Sequence, residues 1–150
     1  MKYSTKLSDA VHIMAFIALN PNELLSSEKI AESVKTNPGC IRQIMSVLRR
    51  HKLIVSVKGH PRPALAREAD EISLLDIYKA VEGKKPLLHL DTHINPECGV
   101  GVNIQLALQD YYERIQQCVE MEMQHISLAD ILNRYHEQLS HLDKGRMPIQ

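Results

Sequence analysis

The sequence contains no tryptophan, one phenylalanine and five tyrosines, so aromatic residues occupy only 4% of its 150 positions. Proteins that bind single-stranded nucleic acid stack the bases on aromatic side chains, and this composition argues against that class. The apolar fraction of 44% is nevertheless sufficient for a packed core, and the length fits one domain with an extension. We find no internal repeats or low-complexity tracts.

Cysteine is also scarce, with three residues, and the chain begins with no charged-then-apolar leader. We therefore expect reduced thiols in a cytoplasmic protein. The apolar run from Val11 to Leu19 is interrupted by His12 and is too short to span a bilayer, so we expect no membrane partner. Motifs of hydrolases, nucleotide-binding proteins and zinc proteases are missing, and nothing positions a third group beside a Cys98–His93 pair. We predict that the protein is not an enzyme.

The net charge of zero conceals a division of the chain into two halves of opposite charge. Residues 1–67 contain 11 basic and 4 acidic residues, a net charge of +7. Residues 68–150 contain 7 basic and 14 acidic residues, a net charge of −7. A basic half is the electrostatic pattern expected of a protein that binds duplex DNA.

The segment from Ser26 to Ile54 predicts two short helices joined by a tight turn. Ser26 is a suitable cap for the first helix, and Asn37 followed by Pro38 is a suitable start for the second. In the second helix an apolar face is opposed by a basic one. The alternative is an ordinary helix pair with a solvated basic face. The strand that follows and a turn at Gly59 favour a winged helix-turn-helix, which places its second helix in a DNA groove.

The remaining elements follow from apolar spacing and from glycine and proline. We predict a first helix over about Lys6–Asn20, wing strands at Leu53–Val57 and Ala64–Arg67, and a helix over about Leu74–Glu82. A long helix from about Val102 to His125 and a short one from Leu128 to about Leu139 complete a mainly α fold. The predicted units are a winged helix-turn-helix domain at 1–83, a sensor-type loop at 84–103, a dimerisation helix with a short last helix at 104–142, and a tail at 143–150.

The long helix has apolar residues spaced alternately four and three apart, as in a coiled coil. Nothing else in the chain is long enough to cover them, so we expect two copies to pair, although packing within one chain is the alternative. A two-fold dimer would require a near-palindromic operator. The predicted dimer interface comprises Ile104, Leu108, Tyr111, Ile115 and Cys118.

The chain resembles the Rrf2 family of bacterial winged-helix regulators, which includes the IscR, NsrR and CymR types. The resemblance covers residues 1–140, and its most specific part is EISLLDIYKAVEG after the wing. The other matching segments are MKYSTKLSDAVHIMAFIA, LSSEKIAESVKTNPGCIRQIMSVLRRHKLIVSVKG and ISLADIL. It implies a homodimeric DNA-binding regulator, usually a repressor, controlled by a redox, nitric oxide, iron–sulfur or metabolite signal.

The resemblance also implies a set of DNA contacts. The start of the recognition helix should touch bases through Asn37, Gly39, Arg42 and Gln43. The wing should reach the minor groove through Lys58, His60 and Arg62. The expected phosphate contacts are Arg49, Arg50, Ser4 and Lys6. This wing carries Pro61 and Pro63 where most members have glycines, so we expect it to be stiffer and to offer fewer backbone donors.

Cluster-binding members of the family have three closely spaced cysteines before the long helix, whereas this chain has only Cys98 there. We therefore expect no iron–sulfur cluster and no other cofactor. Cys98 is a candidate redox sensor at the start of a helix, with simple packing as the equal alternative. His89 and His93 are weak candidates, with Cys98, for a metal site. A metabolite-, metal- or cluster-dependent regulator, or a protein-interaction module that does not bind DNA, remain the alternative functions.

Overall fold

The structure is a computed structural model that describes residues 4–57 and 60–145. Its helices and strands, in chain order, are α1 (Lys6–Leu19), α2 (Ser27–Val34), α3 (Pro38–Arg50), β1 (Ile54–Val57), β2 (His60–Leu65), α4 (Leu74–Glu82), α5 (Gly99–Gln124) and α6 (Leu128–Gly145), with one 3-10 turn at Ala69–Glu71. The predicted mainly α fold with a small two-stranded sheet is confirmed. None of the described helices combines the length and the apolar character that a membrane span requires.

The starts of α2 and α3 are fixed by Ser26 and Asn37, the capping side chains predicted from the sequence. Ser26 Oγ accepts a hydrogen bond from the backbone N–H of Lys29 at 3.2 Å, and Asn37 Oδ1 accepts one from Cys40 at 2.9 Å. Pro38 occupies the first turn of α3, where its missing N–H costs no helical hydrogen bond. These caps satisfy amide donors that would otherwise have no partner, and they set the boundary between α2 and α3.

The helix-turn-helix packs on α1 and α4 around one core. Ile13 and Met14 of α1, Ile30 of α2, and Ile41 and Leu48 of α3 are fully buried. The same core includes Ile54, Ile72 and Ile77 and reaches Leu128, the first residue of α6. Since each such side chain contributes about 1.5–3 kcal/mol when it is buried, this core holds α3 in a fixed position relative to the rest of the domain.

The wing differs from its predicted strands. β1 begins at Ile54 and β2 extends from His60 to Leu65, so the prolines assigned to the connecting loop lie inside a strand. The pairing Val55–Ala64 is followed by Val57–His60, which leaves two extra residues on β2. Proline is tolerated at such an irregularity because no ladder N–H is required there. The carbonyl oxygen of Pro61 instead accepts a hydrogen bond from the N–H of Leu25 at 2.7 Å.

The C-terminal helices are longer than predicted. α5 begins at Gly99 rather than Val102, so the last residues of the predicted loop 84–103 are helical. α6 continues to Gly145 rather than to about Leu139, so the predicted tail from 143 is helical at its start. The residues between Leu139 and Gly145 include no helix breaker, and Leu142 continues the apolar spacing of α6.

The first residues of α4 and α6 are paired through two short, nearly identical segments, ISLLDI at 72–77 and ISLADI at 126–131. The N–H of Leu74 donates to Ile126 O at 2.7 Å, and the N–H of Leu128 donates to Ile72 O at 2.8 Å. Each segment forms its own reciprocal cap, through Ser73 with Asp76 and through Ser127 with Asp130. This junction attaches the C-terminal helices to the winged domain.

Candidate nucleic-acid interface

Helix α3 presents one face to the core and a polar face to solvent. Ile41, Met45 and Leu48 are buried at helical spacing. Ile44 and Val47 are half-buried beside them, and the polar residues of α3 on the opposite side are exposed: Arg42, Gln43, Ser46, Arg49 and Arg50. A helix fixed on one side by a core and carrying cations and amides on the other has the form required to enter a major groove.

The exposed face of α3 borders a concavity of about 530 Å³ that brings together residues distant in sequence. Lys6, from the start of α1, shares this concavity with Arg42 and Arg50. Gln43, Ser46, Ile44, Val47 and Val81 complete the lining. Three positive side chains around one concave surface favour the binding of an anionic polymer. Ser46 and Val81 were not among the predicted DNA contacts, because their place beside Lys6 depends on how α1 and α4 pack.

Two of the arginines on α3 have partners within the protein. Arg42 Nη1 lies 3.4 Å from Glu28 Oε1 of α2, and both side chains are largely exposed. An exposed pair of this kind contributes little to stability, but it holds the guanidinium near the start of α3. Arg49 Nη1 donates to Ser56 Oγ of β1 at 2.8 Å, so that side chain connects α3 to the wing.

Some predicted contact residues have structural partners. Asn37 uses its side-chain oxygen as the α3 cap, and a Cβ at Gly39 would lie 3.0 Å from that oxygen. Gly39 therefore leaves room for the cap, a role that its place in the motif did not indicate. The hydroxyl of Ser4 donates to Glu82 Oε1. In the wing, Arg62 is exposed, whereas Lys58 lies outside the described residues and His60 is described only as the first residue of β2.

Within the described part of the protomer, no other element covers the predicted dimer seam on α5. Ile104, Tyr111 and Ile115 are 52%, 60% and 45% exposed, and Cys118 is exposed as well. Leu108 is half-buried, and no residue of α5 is fully buried. A helix of 26 residues thus keeps an apolar stripe in contact with solvent, which is unusual for a monomeric protein.

The candidate sensor and metal residues are not assembled into one site. Cys98 is a free, exposed thiol at the cap position of α5, and its side chain makes no cap hydrogen bond. Among residues 4–57 and 60–145, no group of three or more histidine, cysteine or acidic side chains is arranged to hold a metal ion. His89 and His93 therefore share a loop with Cys98 without forming a site with it.

Comparison with known proteins identifies the family. A family model named Rrf2, described as iron-dependent transcriptional regulator, matches residues 3–134. The chain belongs to the Rrf2 family. It is 37% identical over 130 residues to YwnA of Bacillus subtilis (strain 168), which is provisionally described as an HTH-type transcriptional regulator. The matched region covers 87% of this chain and 96% of YwnA. Proteins of the Rrf2 family are winged-helix transcriptional regulators and not enzymes.

Solved structures of Rrf2 proteins have the same fold. CymR (YrzC), the global cysteine regulator of B. subtilis, matches with a TM-score of 0.64 and 25% identity, over 89% of this chain and 97% of that one. The oxidised form of Staphylococcus aureus CymR matches with a TM-score of 0.63 and 25% identity, over 88% of this chain and 96% of that one. The winged helix-turn-helix predicted from Ser26 to Ile54 is confirmed at the level of the fold.

The family model is described as iron-dependent, but the cysteine thiols of this chain are far apart. Iron–sulfur clusters are held mostly by thiolates, usually four. Cys98 is in the loop, Cys40 is on α3, and Cys118 lies 20 residues along α5 from Cys98, about 30 Å at 1.5 Å per residue. The three thiols of one protomer therefore do not fit one cluster.

Proposed function

We propose that the protein is a cytoplasmic transcriptional repressor that binds duplex DNA as a homodimer, on a near-palindromic operator. The observation that carries this proposal is the exposed polar face of α3, which borders the same concavity as Lys6. The proposed domains are a DNA-binding unit at 1–83, a sensor loop at 84–103 and a dimerisation unit at 104–142. The three free cysteines agree with a reducing compartment.

The side chains of α3 have different proposed roles according to their position. Arg42 and Gln43 are in the first turns of α3, which in helix-turn-helix proteins meet the base edges. Arginine pairs with guanine and glutamine with adenine through two hydrogen bonds. Arg50 at the end of α3 and Lys6 at the start of α1 line the same concavity, and we propose that they contact phosphates. Arg49 is proposed as a further phosphate contact, and Arg62 of the wing as a minor-groove contact.

Homodimerisation is supported by the apolar stripe on α5. A second copy of the same helix would cover Ile104, Tyr111 and Ile115, which are about half exposed in the protomer. Closed two-fold dimers are the commonest oligomers. Such a dimer would hold two α3 helices about 34 Å apart, one turn of DNA.

Control by oxidation of Cys98 is supported by the exposure of this thiol at the start of α5. The S. aureus relative CymR has been solved in an oxidised form, which is a precedent for oxidation of a protein with this fold. We propose that the protein acts without an iron–sulfur cluster or another cofactor, since its thiols are dispersed over α3 and α5. Packing of Cys98 without any sensing role is the competing interpretation.

Fluorescence anisotropy with the duplex upstream of the protein's own gene, and with a scrambled duplex of equal composition, tests the proposed reading of DNA. Arg42→Ala and Gln43→Ala should each cost roughly 1–3 kcal/mol on the specific duplex and little on the scrambled one. Arg50→Ala and Lys6→Ala should weaken binding to both duplexes alike and reduce the salt dependence, because each removes a phosphate contact.

Arg134→Ala is the matched control, since Arg134 is an exposed arginine on α6 that is paired with Glu137 at 2.9 Å and lies outside the concavity. It should leave both affinities unchanged. Equal losses for Arg42→Ala on the specific and scrambled duplexes would contradict its base-reading role. No preference of the wild-type protein for any duplex from its own genome would contradict the proposed function as a whole.

A further inference from the structure

A cavity of about 590 Å³ lies between the loop that precedes α5 and the middle of α5. Loop residues Leu88 and Leu90 line one side, and Tyr112, Glu113 and Gln116 line the other. Binding sites for small organic molecules have volumes of about 300–1,000 Å³ and mainly apolar walls with a few polar groups. The size and lining of the cavity match that description, and neither the DNA-binding face nor Cys98 contributes to it.

The cavity is on the side of α5 away from the proposed dimer seam. At 3.6 residues per turn, the cavity residues of α5 point about 150° away from the stripe that includes Tyr111 and Ile115. Pairing of two α5 helices through that stripe would therefore leave the cavity open. This placement separates the cavity from the contact that a second copy is expected to make.

One wall of the cavity is held by hydrogen bonds to neighbouring elements. Gln116 Oε1 accepts a hydrogen bond from the N–H of Leu87 at 3.0 Å, and Gln116 Nε2 donates to Tyr78 Oη of α4 at 3.2 Å. Tyr78 Oη in turn donates to the carbonyl oxygen of Lys85 at 3.2 Å. The loop is thus attached to both α4 and α5, so the cavity is already formed in the protein without a ligand.

The charge of the cavity indicates which ligand it fits. Glu113 accepts a hydrogen bond from Gln109 at 3.2 Å, and within the described part of the chain no basic side chain lies within salt-bridge distance of it. Among the described residues that line the cavity, His89 is the one basic side chain and none is lysine or arginine, and the half of the sequence that contains it has a net charge of −7. A carboxylate beside apolar walls favours a ligand with a positive group and an apolar body.

We propose that this cavity binds a small organic cation, whose apolar body rests on Leu88 and Leu90 and whose charged nitrogen faces Glu113. The ring of Tyr112 supplies a further apolar or cation–π surface. The amide group of Gln117, and the amide oxygen of Gln109, can form hydrogen bonds with a polar substituent. The site is independent of base reading by α3, although its wall is joined to α4 through Tyr78.

Isothermal titration calorimetry of the full chain without DNA, with 2-phenylethylamine as probe, tests this site. The wild-type protein should bind the amine saturably and should bind 2-phenylethanol, an uncharged analogue with the same carbon skeleton, at least tenfold more weakly. Glu113→Gln keeps the shape of the side chain and should weaken amine binding by a similar factor. Asp110→Asn is the matched control, since Asp110 is an exposed carboxylate of the same helix outside the cavity, and it should bind as the wild type does.

Three results would overturn the proposal: no saturable binding of the amine, equal binding of amine and alcohol, or equal binding by wild type and Glu113→Gln. Amine binding that disappears as the protein self-associates would assign the cavity to a contact between copies and would also overturn it. Because the measurement contains no DNA, its failure is distinguishable from failure of the proposed DNA binding. A melting curve of Glu113→Gln that matches the wild type establishes that the variant is folded.

Discussion

At the scale of single residues, Cys98 offers the sharpest test of regulation. A thiolate attacks hydrogen peroxide to form a sulfur–oxygen bond as hydroxide leaves, which yields a sulfenic acid. If this reaction controls DNA binding, peroxide should weaken wild-type binding at least tenfold, and dithiothreitol should restore it. Cys98→Ser should keep its DNA affinity within about twofold and lose the response, because Cys98 lies outside the α3 surface.

The other cysteines supply matched controls for this prediction. Cys118→Ser replaces an exposed thiol on the same helix, and Cys40→Ser replaces a half-buried thiol on α3. Both variants should still respond to peroxide if Cys98 is the sensor, and mass spectrometry should locate the modification on Cys98. A Cys98→Ser protein that remains fully sensitive to peroxide would exclude the sensor role and favour simple packing.

The role of a residue could be predicted from the sequence when it depends on neighbouring residues of the chain, and not when it depends on a contact between separate elements. The caps Ser26 and Asn37 were predicted because a cap is defined within four residues. The pairing of Arg42 with Glu28 and the contact of Arg49 with Ser56 were not, because each joins different elements. Their geometry depends on how α2, α3 and the wing pack, which local spacing does not encode.

At the scale of helices and strands, the paired starts of α4 and α6 predict a measurable stability. Ser127→Ala removes the cap of α6 and should cost about 0.5–2 kcal/mol. For a chain of this size we expect a melting temperature lower by about 2–4 °C per kcal/mol. Ser73→Ala should act similarly, and the double variant should deviate from additivity because the two caps adjoin through the Leu74–Ile126 and Leu128–Ile72 hydrogen bonds.

Ser140→Ala is the control for this prediction, because Ser140 is an exposed serine inside α6 whose hydroxyl donates to the carbonyl oxygen of His136 in the same helix. That change should be neutral or slightly stabilising, since alanine has the higher helix propensity. Differential scanning calorimetry measures the melting temperatures of these four variants and of the wild type. If Ser127→Ala melts at the temperature of Ser140→Ala, the junction does not contribute as described.

The limits of the elements were predictable where punctuation was local and unambiguous. The helix predicted over about Leu74–Glu82 has those bounds in the structure, where Ser73 caps its start and Gly83 follows its end. In the wing, prolines indicated a loop, yet β2 accommodates them at an irregular pairing that only the opposite strand reveals. In α1 the buried residues Ala10, Ile13, Met14 and Ile17 lie at helical spacing, and the neighbouring Leu7, Val11 and Phe16 pack partly against the same core. Several faces of α1 are apolar, so spacing alone does not decide which of them is fully buried.

At the scale of the whole molecule, the proposed homodimer connects the fold to the proposed DNA binding. If α3 reads bases as proposed, one protomer alone would make a single set of base contacts, with modest affinity and an asymmetric site. The apolar stripe of α5 and the exposed leucines of α6, Leu139 and Leu142, lack a partner within the described protomer. Both features are explained if a second copy covers them and aligns two α3 helices on one operator.

Tyr111→Glu tests this arrangement, because it places a charge in the centre of the proposed seam, where burial without a partner is costly. We expect light scattering to report a monomer, and affinity for a two-half-site operator to fall at least tenfold while affinity for an isolated half-site is retained. Gln117→Glu introduces the same charge on the opposite side of α5 and should leave the dimer intact. A Tyr111→Glu protein that remains dimeric would place the interface elsewhere. A wild-type monomer that binds its operator with full affinity would show that α5 serves another purpose.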